Sequence, residues 1–320
     1  MNTIYEGLLA QEPTSDAIYS MSREPLSYGA LTRQIQRTAS FLRFCGLGRG
    51  DRVGIVLPNG PEMGTAFLSI ASCSSAAPLN PGYREDEFKF YLSDLKAGAI
   101  VIASGMDTPA RLVAEKMGIL VIELTTRGVC SGEFDLNIVS TGRLENQAQV
   151  TDKSDKSDEG VAEFGLPDDI ALILHTSGTT SRPKIVPLTQ SNLIASAGNI
   201  VSTLQLNSED RGLNIMPLFH IHGLIASLLA PLTVGSSVVC SPGFDALKFF
   251  GWLRDFQPTW YSAVPTMHQA ILSRAQKNRD VIKAVPLRFI RSSSSSIPPQ
   301  VIAEVEETFG CPLIESYGMT

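Results

Sequence analysis

Thr176-Ser-Gly-Thr-Thr-Ser-Arg-Pro-Lys184 follows the apolar run Ile170-Ala-Leu-Ile-Leu174, with His175 between them. The apolar run has the length and character of a buried strand. The segment after it reads as a phosphate-handling loop. Small hydroxyl residues and a glycine let the backbone come close to an anion and surround it with N–H and O–H donors, while Arg182 and Lys184 add positive charge. A polar loop leaving the C-terminal end of such a strand is a common seat for a nucleotide phosphate. Two familiar phosphate loops do not fit. Pro183 precedes Lys184, so the Walker ending is missing, and no G-x-G-x-x-G is present. On composition alone the segment also reads as an exposed Ser/Thr turn.

Outward from this loop, helical and strand patterns alternate. Leu31, Ile35, Ala39 and Leu42 form one helical stripe, ended by Gly46 and Gly48. Residues 51–57 predict a strand, 62–74 a helix, 77–82 a loop, 85–96 a helix and 99–102 a strand. In the second half, 191–204 and 268–277 predict helices, and 236–240, 260–264 and 287–290 predict strands. This alternation predicts an α/β fold with mainly parallel sheets flanked by helices. Residues 146–160 are polar and charged, as an exposed linker would be. The expected division is therefore an N-terminal subdomain over 1–160 and a second over 161–320.

Length and composition narrow the function. A chain of 320 residues, 43% hydrophobic, is long enough for two cores. A net charge of −6 gives no basic footprint for nucleic acid. No apolar run reaches the length of a membrane span, and the N-terminus lacks a signal-peptide pattern. Five scattered cysteines, without metal-ligand spacing, point to a reducing cytosol. No G-x-S-x-G elbow supports a serine hydrolase.

Leu174-His-Thr-Ser-Gly-Thr-Thr-Ser-Arg-Pro-Lys184, continued by Val186-Pro-Leu-Thr-Gln190, resembles the signature of the adenylate-forming superfamily, which includes acyl-CoA synthetases, luciferases and peptide-synthetase adenylation domains. Glu315-Ser-Tyr-Gly-Met-Thr320 resembles that family's adenine and α-phosphate motif, in the family's order and spacing. Pro217-Leu-Phe-His-Ile-His-Gly-Leu224 and Trp260-Tyr-Ser-Ala-Val-Pro-Thr266 add a likeness to oxalate–CoA ligases. The resemblance runs from about Tyr28 to the last residue. It implies an enzyme that joins a carboxylic acid to the α-phosphate of ATP with Mg2+, then passes the acyl group to coenzyme A. It also implies parts absent here: an acidic Mg2+ ligand, a ribose-binding aspartate, a hinge and a C-terminal lid domain with a catalytic lysine. The chain thus reads as an N-terminal portion, expected to be weak or inactive alone.

The resemblance assigns roles. Thr176, Ser177, Gly178, Thr179 and Thr180 cradle phosphates, with Thr180 also at Mg2+, and Lys184 supplies charge. Ser293, Ser294 and Ser295 lie along the adenine and acyl pocket. Glu315, Ser316, Tyr317, Gly318 and Met319 belong to the nucleotide motif, Tyr317 as the ring that stacks on adenine, and Thr320 bonds the α-phosphate. His220 lies beside the acid and gates the thiol tunnel; His222 and Arg291 contact the acid, and with the serine run suit a dicarboxylate. On a strand, His220 and His222 would face one side. Such a pair can bind metal, but no Asp, Glu or Cys accompanies it.

Two departures stand out. Ser181 and Ile185 occupy positions where the family mostly has glycine. A β-branched Ile185 would stiffen or displace the loop if that position required positive φ. Two further readings stay open: a loading domain that delivers the acid to a carrier-protein phosphopantetheine, and a non-catalytic nucleotide-binding module.

Overall fold

Short runs of Val, Ile and Ala become strands buried on both faces, the usual state of a parallel sheet between helices. The computed structural model describes residues 2–140, 163–176 and 183–318. In chain order its strands are β1 (Asp16–Tyr19), β2 (Leu26–Ser27), β3 (Arg52–Val56), β4 (Ser75–Pro78), β5 (Ala99–Ala103), β6 (Leu120–Thr126) and β7 (Phe134–Ser140). They continue as β8 (Ile170–His175), β9 (Ile185–Thr189), β10 (Arg211–Asn214), β11 (Ser237–Cys240), β12 (Trp260–Ala263), β13 (Phe289–Ser292) and β14 (Leu313–Glu315). They form two seven-stranded sheets, ordered β7-β6-β5-β3-β4-β8-β9 and β14-β13-β12-β10-β11-β1-β2. Interior pairings are parallel; the edge strands β7, β9 and β2 pair antiparallel. The α/β class with two mainly parallel sheets is as expected.

The division at residue 160 does not separate the sheets. β1 pairs with β11, Ile18 opposite Val238, so the first strands of the chain join the second sheet. β8 pairs with β4, Leu172 opposite Ala76, and closes the first. Residues 77–82 also differ from the expected loop: Ala77 and Pro78 end β4. Small buried Ala76 and Ala77 suit a strand between β3 and β8. Pro78 stands at the strand end, where its missing N–H removes little from the ladder.

The pleat sorts side chains into layers. Val53, Ile55, Ile18 and Val238 face a shared inner core, whereas Val56, Ile100 and Val239 face outer cores. Helix Pro61–Ala71 runs through the inner layer, buried everywhere except Glu62. Its Gly64 brings the helix against Leu228 and Cys240, where an added Cβ would sit 3.5–3.6 Å from them. Each large apolar side chain buried there contributes about 1.5–3 kcal/mol over exposure. Among the described residues no helix is long and apolar enough to cross a membrane.

Helix Gln190–Leu204 begins directly after β9 with Thr189 as N-cap. Its first side chain ties three elements together. Gln190 Nε2 donates to the Ala71 carbonyl at 2.6 Å, and its Oε1 accepts from Ile4 N–H at 3.1 Å. Gln190→Ala should lower stability by about 2 kcal/mol, because both buried backbone groups lose their partner. The check is a lower urea midpoint at unchanged m-value.

In the outer core of the second sheet, His268 is fully buried with Nδ1 3.2 Å from the Tyr261 hydroxyl. Burial pushes its pKa from 6.5 down to about 4. The unfolded chain therefore binds the extra proton between pH 6.5 and 4, so stability is full above this window and falls as pH drops through it. His268→Gln should reduce that acid slope by about one proton in urea titrations run across the window.

Candidate active site

The β8–β9 hairpin carries the phosphate-type loop. His175 pairs with Ile185, and beyond them Thr176 N–H donates to the Lys184 carbonyl at 2.9 Å. Lys184 N–H donates back to Thr176 Oγ1 at 3.1 Å. These two residues form the neck of the loop. Ser177, Gly178, Thr179, Thr180, Ser181 and Arg182 lie outside the described residues, as do Met319 and Thr320. Ile185 is an ordinary member of the β9 ladder, absent from the positive-φ residues and packed against the outer core of the first sheet. The strain anticipated at this position does not arise.

A cavity of about 340 Å³ opens where β13 and β14 end. Adjacent parallel strands release their C-terminal loops at the same sheet edge, which places Arg291, Ser293 and Ser294 beside Glu315, Ser316, Tyr317 and Gly318. The two loops are tied by Ser316 N–H donating to the Ser292 carbonyl at 2.9 Å. Glu315 Oε1 accepts from Ile297 N–H at 3.1 Å, holding the serine turn. Ser294 has φ +77°, a left-handed conformation that costs a non-glycine residue about 1 kcal/mol or more. Ser295 is exposed and does not line the cavity. The Tyr317 ring is 92% exposed, its face free for stacking.

The histidines divide between two cavities. Residues 217–220 turn rather than extend, and His222 opens a π-helix, His222–Leu229. Asn214 shapes this turn: its Oδ1 accepts from Met216 N–H and its Nδ2 donates to the Gly223 carbonyl, both at 3.1 Å. Gly223 is required, since a Cβ there would run into the Pro217 carbonyl oxygen. His222 therefore lines the large cavity. His220 lines a separate space of about 50 Å³ with His175, Asn80 and Tyr91. The shared face expected for the two histidines is replaced by this division. Burial lowers the His220 pKa, and His175 Nε2 lies 3.0 Å from Asp94 Oδ2.

His222 is held at both nitrogens: Nδ1 is 3.1 Å from Ser294 Oγ and Nε2 is 2.6 Å from Ser262 Oγ. Burial, followed by the Arg291 charge, pushes its pKa to about 3, so the ring is neutral. Arg291 is only 8% exposed and burial lowers its pKa to about 10. Its Nη1 donates to Ser262 Oγ at 3.2 Å. Among the described residues it has no carboxylate partner, whereas Arg288 pairs with Asp210 at 2.7 Å. A buried guanidinium without a counter-ion is a strong anion seat.

Sequence reading did not assign Ser262, nor the wall formed by Ser196, Asn199 and Thr203 on helix Gln190–Leu204. The helical spacing of those three was the available signal. Among the described residues, no group of three or more His, Cys, Asp or Glu is placed to hold a metal. Thr180, expected near Mg2+, is outside them.

The model of the family described as AMP-binding enzyme matches residues 8–320. A probable CoA ligase from Humulus lupulus is 39% identical over 299 residues, covering 92% of this chain and 54% of that protein. An oxalate–CoA ligase from Arabidopsis thaliana is 36% identical over 324 residues, covering 100% of this chain and 60% of that protein. A crystal structure of ATP-bound MatB from Rhodopseudomonas palustris matches with a TM-score of 0.81 at 24% identity, over 100% of this chain and 60% of that one, a likeness of fold. The chain thus spans between 54% and 60% of the length of these relatives. The match over residues 8–320 and the relatives at 36–39% identity have one meaning: the chain belongs to the AMP-binding enzyme family.

Proposed function

We propose that the protein activates a small carboxylic acid carrying a second anionic group, forming an acyl-adenylate from ATP and passing the acyl group to coenzyme A. The observation that carries the acid class is Arg291, buried at the cavity wall beside His222 and without a carboxylate partner among the described residues. Of the relatives named above, one is a probable CoA ligase and the other an oxalate–CoA ligase, and oxalate is a dicarboxylate.

In the first step a carboxylate oxygen attacks the α-phosphorus of ATP and pyrophosphate leaves. Thr176, Ser177, Gly178, Thr179 and Thr180 hold the phosphates, with Lys184 and Thr320 offsetting charge as the two anions meet. Mg2+ bound near Thr180 would neutralise phosphate charge. Glu315, Ser316, Tyr317, Gly318 and Met319, with Ser293 and the backbone of Ser294, receive the adenosine. Arg291 and His222 orient the acid. In the second step the thiol sulfur attacks the acyl carbon and AMP leaves; His220, in its own cavity, suits the thiol's approach.

Coenzyme A is the acceptor favoured over a carrier protein, because both similar proteins are CoA ligases. The reading as a non-catalytic module loses its support at Ile185, which is unstrained.

Acid-dependent ATP–pyrophosphate exchange by the full-length protein should be fastest with short diacids in a panel reaching to aromatic and long-chain acids. Preference for long-chain acids would contradict the proposal. Arg291→Gln should raise KM for the diacid about 10- to 100-fold while KM for ATP stays within about twofold. Equal loss on every acid would remove Arg291 from the acid's distal end. Lys184→Ala should slow exchange at least about tenfold with all acids.

A further inference from the structure

We infer that Ser262, through its one hydroxyl proton, fixes His222 as the Nδ1–H tautomer and so turns the Ser294 hydroxyl into a donor toward the cavity. Three distances carry this: Arg291 Nη1 to Ser262 Oγ at 3.2 Å, Ser262 Oγ to His222 Nε2 at 2.6 Å, and His222 Nδ1 to Ser294 Oγ at 3.1 Å.

The assignment follows from the available donors and the bond lengths. A guanidinium only donates, so Ser262 Oγ accepts from Arg291. The single Ser262 proton then has two acceptors within reach: His222 Nε2 at 2.6 Å and the Arg291 carbonyl at 3.4 Å. Ser262 Oγ has a second lone pair that an Nε2–H could use, but 2.6 Å is shorter than the roughly 2.7–3.2 Å that N–H donors give and lies in the O–H donor range, which assigns the proton to the bond with Nε2. Nε2 is then an acceptor, and a neutral imidazole must carry its proton on Nδ1. Nδ1–H donates to Ser294 Oγ, which leaves the Ser294 proton free to point into the cavity.

The consequence is the polarity of one wall. With Nδ1–H, the wall presents the Arg291 guanidinium and the Ser294 O–H, both donors, and suits a carboxylate. With the other tautomer, Ser294 would donate to Nδ1 and turn its lone pairs toward the cavity, repelling an anion. The left-handed φ of Ser294, +77°, holds its side chain in reach of His222 against a backbone cost. Ser262 stands behind the lining residues His222 and Arg291, bonded to both, and by this account does not touch the substrate. It is a positioning residue, fully buried on β12. Its effect on acid choice rests on the acid-site reading above; the tautomer does not.

The test is nitrogen NMR of the full-length protein labelled with 15N in its histidines, with the His222 signals identified by their loss in His222→Gln. The expected spectrum near pH 7 has a pyrrole-type Nδ1 and a pyridine-type Nε2. Ser262→Ala should shift that ring toward Nε2–H, and Ser262→Thr, which keeps a hydroxyl, should restore Nδ1–H. In exchange assays Ser262→Ala should cut the diacid-to-monoacid ratio of kcat/KM about tenfold. A wild-type His222 carrying Nε2–H overturns the inference, whatever Ser262→Ala does. An unchanged tautomer in a folded Ser262→Ala also overturns it. Absence of exchange with every acid, alongside an Nδ1–H spectrum that moves in Ser262→Ala, sinks the acid-site reading and sustains the relay.

Discussion

A guanidinium withdrawn from water costs several kcal/mol unless an anion or enough dipoles replace the solvent. Arg291 sits at the end of β13 with one bond to Ser262 and no carboxylate partner among the described residues. Much of the site follows from that imbalance. Burial lowers the arginine's pKa only to about 10, so it keeps its charge at neutral pH. That charge adds to burial in holding His222 neutral. A neutral His222 then links two serines rather than competing for an anion. The cavity wall is pre-charged and pre-oriented, which lowers the reorganisation a bound anion must drive.

The scaffold makes such a placement tolerable. β10, β12, β13 and β14 are parallel and adjacent, so their C-terminal loops converge at one edge. Helix Pro61–Ala71, buried between the sheets, and the π-helix packed against it form a common inner core with both sheets. A π-helix widens the turn by one residue, and such segments occur frequently at functional sites. Here it carries His222 into the large cavity while His220 stays in the turn before it.

The strand that leads into the hydroxyl-rich loop was legible in the sequence because its signal is local, an apolar run of strand length; β9, which turns it into a hairpin, was not predicted. The serine run was legible for the same reason, following the apolar run at 287–290, whereas the Glu315–Gly318 segment was legible only as a motif resemblance. The partition of His220 from His222 was not legible. Period-two reasoning assumes extended backbone, and the turn is imposed by Asn214, whose bonds to residues 216 and 223 leave no local pattern. Ser262 was hidden because a lone serine within Trp260-Tyr-Ser-Ala263 reads as part of a strand. The exchange of strands between sheets was hidden because β1 meets β11 across more than two hundred residues, a pairing that propensity does not encode. Ile185 shows the reverse error: a departure from a motif suggested strain, yet its backbone is ordinary β.

The most direct measurement is a crystal structure of the full-length protein with a short diacid and a non-hydrolysable ATP analogue. The account predicts the diacid in the cavity between β13 and the π-helix, its distal carboxylate within hydrogen-bond distance of the Arg291 guanidinium and Ser294 Oγ. A diacid bound with its distal carboxylate turned away, or an Arg291 redirected onto the nucleotide phosphates, would contradict it.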